Sequence, residues 1–191
     1  MDNSTNKMKI VMLVGSLRRQ SLNRQLAEEA GKLLEDEAEC TIFTPAGIPL
    51  FDQDTEFPAP EQIETIRQAI RQSDGVWIFS PEYNGAIPGG LKNLLDWLSR
   101  PLFENDPDWK DTAVWGKKAT ISGIGGKNAT RSVQDALITL LHFMGMDVMT
   151  EDRAMIAMSP ETMKTSDLSK TENVQKALRT QADAFMKFIE K

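Results

Sequence analysis

The sequence has little of what several large protein classes require. Cys40 is the one cysteine among 191 residues, so neither an intramolecular disulfide nor a cysteine-rich zinc site can form, and a reducing compartment is expected. Basic residues are outnumbered, 22 against 28 acidic ones, and the net charge of −6 has the wrong sign for a generic binder of nucleic-acid backbones. The apolar run at residues 10–14 is much shorter than a membrane span or the core of a signal peptide. We therefore expect a cytoplasmic protein without metal, nucleic-acid or membrane partners.

What is present is enough apolar material for one globular domain, since 40% of the 191 residues are hydrophobic. We predict that residues 1–191 form a single domain. Short apolar runs alternate along the chain with stretches of helical periodicity. The runs predict strands at residues 10–14, 41–44, 75–79, 118–122 and 146–149, and the periodic stretches predict helices around residues 22–33, 63–70, 88–98, 133–141 and 174–189.

This alternation is typical of an α/β protein in which helices cover both faces of a parallel sheet, giving a three-layer sandwich. Of the two common strand orders, 2-1-3-4-5 suits five strands and a chain of this length. That order places a ligand beyond the carboxyl ends of strands 1 and 3, and it makes strands 1, 3 and 4 neighbours. The loops that follow these three strands are therefore the candidate site.

The loop after strand 1 reads "GSLRRQSLN", residues 15–23. It lacks the spacing of the dinucleotide fingerprint and the glycine and lysine of the Walker A loop. Its polar residues, together with the amides at the start of a helix, could cradle a terminal phosphate; they are Ser16, Arg18, Arg19, Ser21 and Asn23. In the alternative interpretation Ser21 only caps the helix and both arginines are solvated.

The loop after strand 3 is "SPEYNGAIPGG", residues 80–90, and a flat heterocycle could lie against its glycine-rich turn, with Tyr83 packed on the ring or donating its hydroxyl. A stiff turn that only connects a strand to a helix is the alternative. The loop after strand 4, "SGIGGK" at residues 122–127, is a weak motif that a plain glycine turn also explains. Side by side, the three loops suit one elongated ligand with a phosphate tail and a flat head, and FMN is such a molecule.

Two stretches carry a family resemblance. "GSLRRQSLNRQLA" resembles the G-S-x-R-x-x-S-x-N element of the NADPH-dependent FMN reductase family, and "SPEYNGAIPGGLKNLLDW" resembles its longer P-E-Y-N-x-S-x-P-G-x-L-K-N-x-x-D-W element. The resemblance extends from strand 1 to the last helix and includes "IPLFDQD" at residues 48–54. It implies a flavodoxin-like fold, bound FMN, and NADPH or NADH as co-substrate. It also implies reductase activity towards a small electron acceptor, such as a quinone, a flavin, an azo or nitro compound, or a metal oxyanion.

Carried over residue by residue, the resemblance places the FMN phosphate at the first loop and the isoalloxazine ring at the second, with the third loop closing the far side. Because hydride chemistry belongs to the cofactor, no catalytic side chain is expected. The predicted cofactor-binding residues are Ser16, Arg18, Ser21, Leu22, Asn23, Pro81, Glu82, Tyr83, Asn84, Gly85, Ser122, Gly123, Gly125 and Gly126.

The sequence departs from the family pattern at two places. Ala86 stands where a serine or threonine is usual, and the segment 101–116 is longer than the usual connection and carries Trp109 and Trp115. Two other functions remain open, a flavodoxin-type electron carrier without NAD(P)H activity and a flavin-free binding protein on the same fold.

The resemblance also implies a homodimer or homotetramer. Trp97 falls off the apolar stripe of its helix, so we expect it to be exposed at a subunit contact, or else to pack under the segment 101–116.

Overall fold

A twisted parallel sheet forms the centre of the computed structural model, which describes residues 7–159 and 167–191. Its strands follow the order β2-β1-β3-β4-β5, as the sequence predicted, and a sixth strand also pairs with β4. Five α-helices lie in the described residues, and Ser21 is the N-cap of the first one. The strands are β1 (Met8–Val14), β2 (Ala38–Phe43), β3 (Gly75–Phe79), β4 (Lys118–Gly125), β5 (Asp147–Val148) and β6 (Met155–Ala157), and the helices are α1 (Leu22–Leu33), α2 (Glu61–Gln72), α3 (Gly89–Leu98), α4 (Arg131–Phe143) and α5 (Glu172–Ile189).

Side chains of the central strands alternate between two hydrophobic cores. In β3, Val76 and Ile78 point into a core with α2, α3 and α4, whereas Trp77 and Phe79 point into a core with α1 and α5. Successive residues of a strand face opposite sides of the sheet, so a strand that is apolar at every position must be covered on both faces. The predicted three-layer arrangement is therefore confirmed. Among the described residues, no helix is long and apolar enough to cross a bilayer.

The edge of the sheet beyond β4 differs from the sequence prediction. We expected one strand at residues 146–149 and a loop from Ser122 onwards. Instead, β4 continues to Gly125, and two short strands pair with its edge. β5 pairs with the start of β4, and β6 pairs with residues 123–125. β6 is only three residues long, too short for an alternation pattern to identify, and its place depends on the free edge that β4 offers.

The prediction that Trp97 is exposed is also wrong. Its side chain is 2% exposed, so it is not an exposed residue at a subunit contact. The indole Nε1 donates a hydrogen bond to the carbonyl of Pro49 at 2.9 Å, and the ring lies edge-on to Phe51 with a centroid distance of 5.1 Å. The loop between β2 and α2 therefore covers this side of α3, a contact that periodicity within α3 cannot reveal.

Candidate cofactor site

The loops after β1, β3 and β4 meet at the carboxyl edge of the sheet, because these strands are direct neighbours. Between them lies a cleft of about 180 Å³. All three loops contribute to its walls, and two of its lining residues, Ile124 and Met158, were not predicted. The predicted residues that line it are Ser16, Arg18, Ser21, Leu22, Asn23, Pro81, Glu82, Tyr83, Gly125 and Gly126.

The start of α1 provides positive charge and hydrogen-bond donors without a counter-charge. Ser21 is the N-cap, its Oγ accepting from the amide of Arg24 at 3.2 Å, and no acidic residue lies in the first turn. Arg18 and Arg19 are exposed, and neither side chain makes an ion pair with any of the residues that the structure describes. The positive end of the helix dipole and the two guanidinium groups repel each other, and a bound anion would offset that repulsion. This donor set fits the phosphate of FMN.

Asn23 has a structural role that the sequence did not show. Its side chain is buried, its Nδ2 donates to the carbonyl of Ile124 at 3.0 Å, and its Oδ1 accepts from the amide of Ile124, also at 3.0 Å. This two-bond contact ties the first turn of α1 to the end of β4. Asn23 therefore holds two walls of the cleft together.

The loop after β3 forms a tight hairpin. Tyr83 and Ala86 exchange backbone hydrogen bonds of 3.2 and 3.0 Å, and Asn84 and Gly85 between them have φ angles of 54° and 72°. These values are those of a type I′ turn, for which Asn-Gly is the favoured pair, so this dipeptide was a signal for a hairpin. Neither Asn84 nor Gly85 lines the cleft.

A second cleft, of about 250 Å³, adjoins the first. Arg18 and Tyr83 line both clefts, and the side chain of Tyr83 is 44% exposed at their common rim. Gly15, Gly89 and Gly90 leave part of the lining of the second cleft without side chains, beside Leu17, Arg18, Tyr83 and Pro88. The cleft at the start of α1 and the second cleft, lined partly by glycines, therefore adjoin at Arg18 and Tyr83.

Glu82 links the second and third loops. Its two carboxylate oxygens accept from Nδ2 of Asn128 at 3.1 and 3.2 Å, and Oε2 also accepts from the amide of Val133 at 3.3 Å. Glu82 is half-buried and lines the cleft. The carboxylate thus joins the wall of the cleft to the first turn of α4.

At the end of β4, two predicted residues face away from the cleft. Ser122 is fully buried, and its hydroxyl accepts from Nε1 of Trp77 and donates to Oε1 of Gln181, both at 2.7 Å. A Cβ on Gly123 would lie 2.5 Å from the carbonyl oxygen of Ser80 and closer still to Oγ1 of Thr130. The structure therefore does not bring the side chain of Ser122 to the cleft, and Gly123 makes room for Thr130.

The chain is similar in sequence to known reductases. The sequence profile of the NADPH-dependent FMN reductase family matches residues 8–161. The chain is 31% identical over 183 residues to a 2-hydroxy-1,4-benzoquinone reductase of Burkholderia sp., covering 95% of this chain and 96% of that protein. It is 30% identical over 154 residues to an NAD(P)H-dependent FMN reductase of Pseudomonas aeruginosa, covering 80% of each.

The fold has a similar solved structure as well. FerB, a flavoenzyme NAD(P)H:(acceptor) oxidoreductase from Paracoccus denitrificans, superimposes with a TM-score of 0.84 at 30% identity, over 96% of this chain and 97% of that one. The predicted flavodoxin-like fold and the resemblance of the two motifs are thereby confirmed. The chain belongs to the NADPH-dependent FMN reductase family, and it is an oxidoreductase that uses FMN with NADPH or NADH.

Proposed function

We propose that this protein transfers a hydride from NADPH or NADH, by way of bound FMN, to a small acceptor of the quinone class. The observation that carries the proposal is the pair of adjoining clefts, in which the hydrogen-bond donors at the start of α1 lead into a space lined partly by glycines. Bound in the first cleft, FMN would supply the hydride-transfer chemistry between the nicotinamide and the acceptor. The similarity to a 2-hydroxy-1,4-benzoquinone reductase over nearly the whole chain supports a quinone as that acceptor.

The residues of the chain bind and orient the two substrates. Ser16, Arg18 and the first-turn amides of α1 would hold the phosphate. The main chain of residues 81–85 would lie beside the ring, and Gly125 and Gly126, which line the cleft, would close the far side. The second cleft, beside Tyr83, would receive the nicotinamide and then the acceptor in turn. Gly15, Gly89 and Gly90 carry no side chain, which allows a flat molecule to approach the backbone closely.

Anaerobic mixing separates this reductase from the flavodoxin-type carrier. The FMN-loaded protein is mixed with excess NADPH and with excess NADH, and the flavin absorbance is followed. We expect bleaching with at least one nicotinamide, and a flavin that stays oxidised with both would contradict the proposal. A flavin-free binding protein would instead be colourless when purified and would gain no thermal stability from added FMN.

Steady-state assays identify the acceptor class. With the preferred nicotinamide, kcat/KM is compared across a benzoquinone series, free FMN, an azo dye, a nitroaromatic compound and chromate. We expect the quinones to give the highest values. A higher kcat/KM for any of the other classes would contradict the quinone assignment while leaving the reductase function intact.

We also propose that the protein works in the cytoplasm, where its reduced cysteine and its nicotinamide substrates fit.

A further inference from the structure

The start of α4 lacks a cap of its own. Thr130, at the N-cap position, has a left-handed backbone with φ of 60°, and its hydroxyl donates to the carbonyl of Ala129 at 2.6 Å instead of accepting from an amide of the helix. No acidic residue lies in the first turn of α4. A helix N-terminus normally gains from a side-chain acceptor and from nearby negative charge, and here its own segment supplies neither.

Glu82 supplies both from a different loop. Its Oε2 accepts from the amide of Val133, in the first turn of α4, at 3.3 Å. The same carboxylate accepts from Nδ2 of Asn128 at 3.1 and 3.2 Å, and that nitrogen also donates to Oγ of Ser132 at 2.8 Å. One carboxylate thus fixes the end of residues 126–130 and the beginning of α4 against residues 81–83.

The segment that Glu82 holds has an unfavourable backbone. Ala129 and Thr130 follow each other with φ angles of 51° and 60°, in the left-handed region that residues with a Cβ rarely adopt. Such a conformation persists only where surrounding contacts impose it. Thr130 is held by its close approach to Gly123 and by a hydrogen bond from Nε2 of Gln134 to its Oγ1 at 3.1 Å. The bonds of Glu82 to Asn128 and Val133 hold the segment from the opposite loop. Without Glu82, this segment would lose its side-chain bonds to the loop after β3.

We propose that Glu82 is a positioning residue that sets the separation of the two loops lining the 180 Å³ cleft, by capping α4 across the gap between them. It acts on the cofactor through α4 and residues 126–130. The inference rests on the proposed function, because FMN is the ligand whose affinity depends on that separation. It predicts that a change at Glu82 alters the order of residues 126–134 before any cofactor binds, and alters FMN affinity as a consequence.

Hydrogen–deuterium exchange and FMN titration test the two parts separately. In the apo protein, Glu82→Ala should speed amide exchange in peptides covering residues 126–134 while leaving the exchange of β1 unchanged. The FMN dissociation constant should rise about tenfold, as expected if the binding-competent arrangement of the loops falls to about one tenth of the population. Asn128→Ala should change both quantities in the same direction by about threefold, and the Glu82→Ala/Asn128→Ala double variant should bind FMN within about twofold of Glu82→Ala, since both act through one contact.

Ser132→Ala is the matched control, because it removes a bond to Asn128 and leaves the bonds of Glu82 in place. It should keep wild-type exchange and affinity. Should Glu82→Ala fail to fold, Glu82→Gln, which keeps one acceptor oxygen, is used in its place. Unchanged exchange, or faster exchange with FMN affinity within about twofold of wild type, would overturn the proposal, since the second outcome leaves Glu82 as a helix cap alone. A wild-type protein that does not bind FMN would overturn the proposed function itself, and the wild-type titration detects this independently of the variants.

Discussion

At the scale of the residue, Arg18 and Arg19 are adjacent, exposed and of equal charge, yet only Arg18 lines the clefts. Arg18→Ala should weaken FMN binding by about 1.5 to 3 kcal/mol, the range for a hydrogen bond to a charged group, and towards the lower end because solvent and salt screen an exposed pair. Fluorescence titration of the apo protein at two salt concentrations measures this. Arg19→Ala is the control and should cost less than about 0.5 kcal/mol. Equal losses for the two variants would contradict the phosphate assignment.

Cys40 lies in β2, where its thiol is half-buried. Burial, and to a lesser extent the nearby carboxylate of Glu39, raises the pKa of this thiol from 9.0 to about 11. The folded state therefore retains the proton more tightly than the unfolded chain. The resulting stabilisation is fully present below about pH 9 and is lost as the pH rises towards 11.

The same shift predicts a thiol of low reactivity, because the thiolate is the nucleophile. At pH 8, iodoacetamide should alkylate Cys40 in the folded protein at least about tenfold more slowly than in urea-unfolded protein. Mass spectrometry of timed samples measures the rates, with Cys40→Ser as the unreactive control. Similar rates in the two states would contradict the assignment of a half-buried, protonated thiol.

The indole of Trp97 contributes to the stability of α3 and of the loop before α2. Trp97→Phe removes the hydrogen bond to Pro49, whose carbonyl keeps the bond from Nδ2 of Asn93 at 2.8 Å, and it also removes part of a buried ring. The free energy of unfolding should therefore fall by about 1 to 2.5 kcal/mol. Urea unfolding monitored by circular dichroism measures the loss. Trp109→Phe is the control, since this indole is 63% exposed, and it should change stability by no more than about 0.5 kcal/mol. A similar loss in both variants would contradict the role of the indole hydrogen bond.

At the scale of the element, the end of β4 is shaped by contacts between loops. Gly123→Ala would bring a methyl group to within 2.5 Å of the carbonyl of Ser80, a backbone atom that cannot rotate away. We expect the free energy of unfolding to fall by about 3 kcal/mol. Gly126→Ala, with no neighbouring atom within 4 Å of its added carbon, should be tolerated. The two variants are compared by urea unfolding, and a stable Gly123→Ala protein would contradict the close packing of Thr130 against β4.

The elements themselves show why some boundaries could be predicted and others not. β1 and β3 are apolar at almost every position because both faces are covered, and the limits of β3 and the end of β1 followed from the apolar runs. β1 begins at Met8, two residues before the predicted start, because Met8 and Lys9 precede the continuous apolar run. β6 has three residues, and its pairing to residues 123–125 depends on the edge of another strand. Similarly, Asn23 and Glu82 resemble ligand-binding residues in sequence, whereas their side chains bond to backbone groups of β4 and α4. Those partners are distant in the chain, so no local pattern reports them.

At the scale of the whole molecule, the expectation of a homodimer or homotetramer no longer rests on Trp97. Exposed apolar side chains near the clefts support it instead, with Leu17 61% exposed and Tyr83 44% exposed. We expect sedimentation velocity at micromolar concentration to give a mass of at least two chains. A monomer whose mass does not change with concentration would contradict this. That residues 1–191 act as one folding unit stays a prediction, which a single cooperative unfolding transition would support.

The amino-acid sequence by itself determined the layered α/β architecture, the strand order and the family, because alternating apolar runs and two loop motifs depend only on neighbouring residues. It also determined which loops meet, since the carboxyl ends of adjacent parallel strands share one edge. Only the tertiary structure decided what each side chain in those loops contacts. The side chain of Ser122 hydrogen-bonds to Trp77 and Gln181. The side chain of Asn23 hydrogen-bonds to Ile124, and that of Glu82 hydrogen-bonds to α4. Buried polar groups bond to whichever partner the packed chain brings near, and those partners are distant in the sequence.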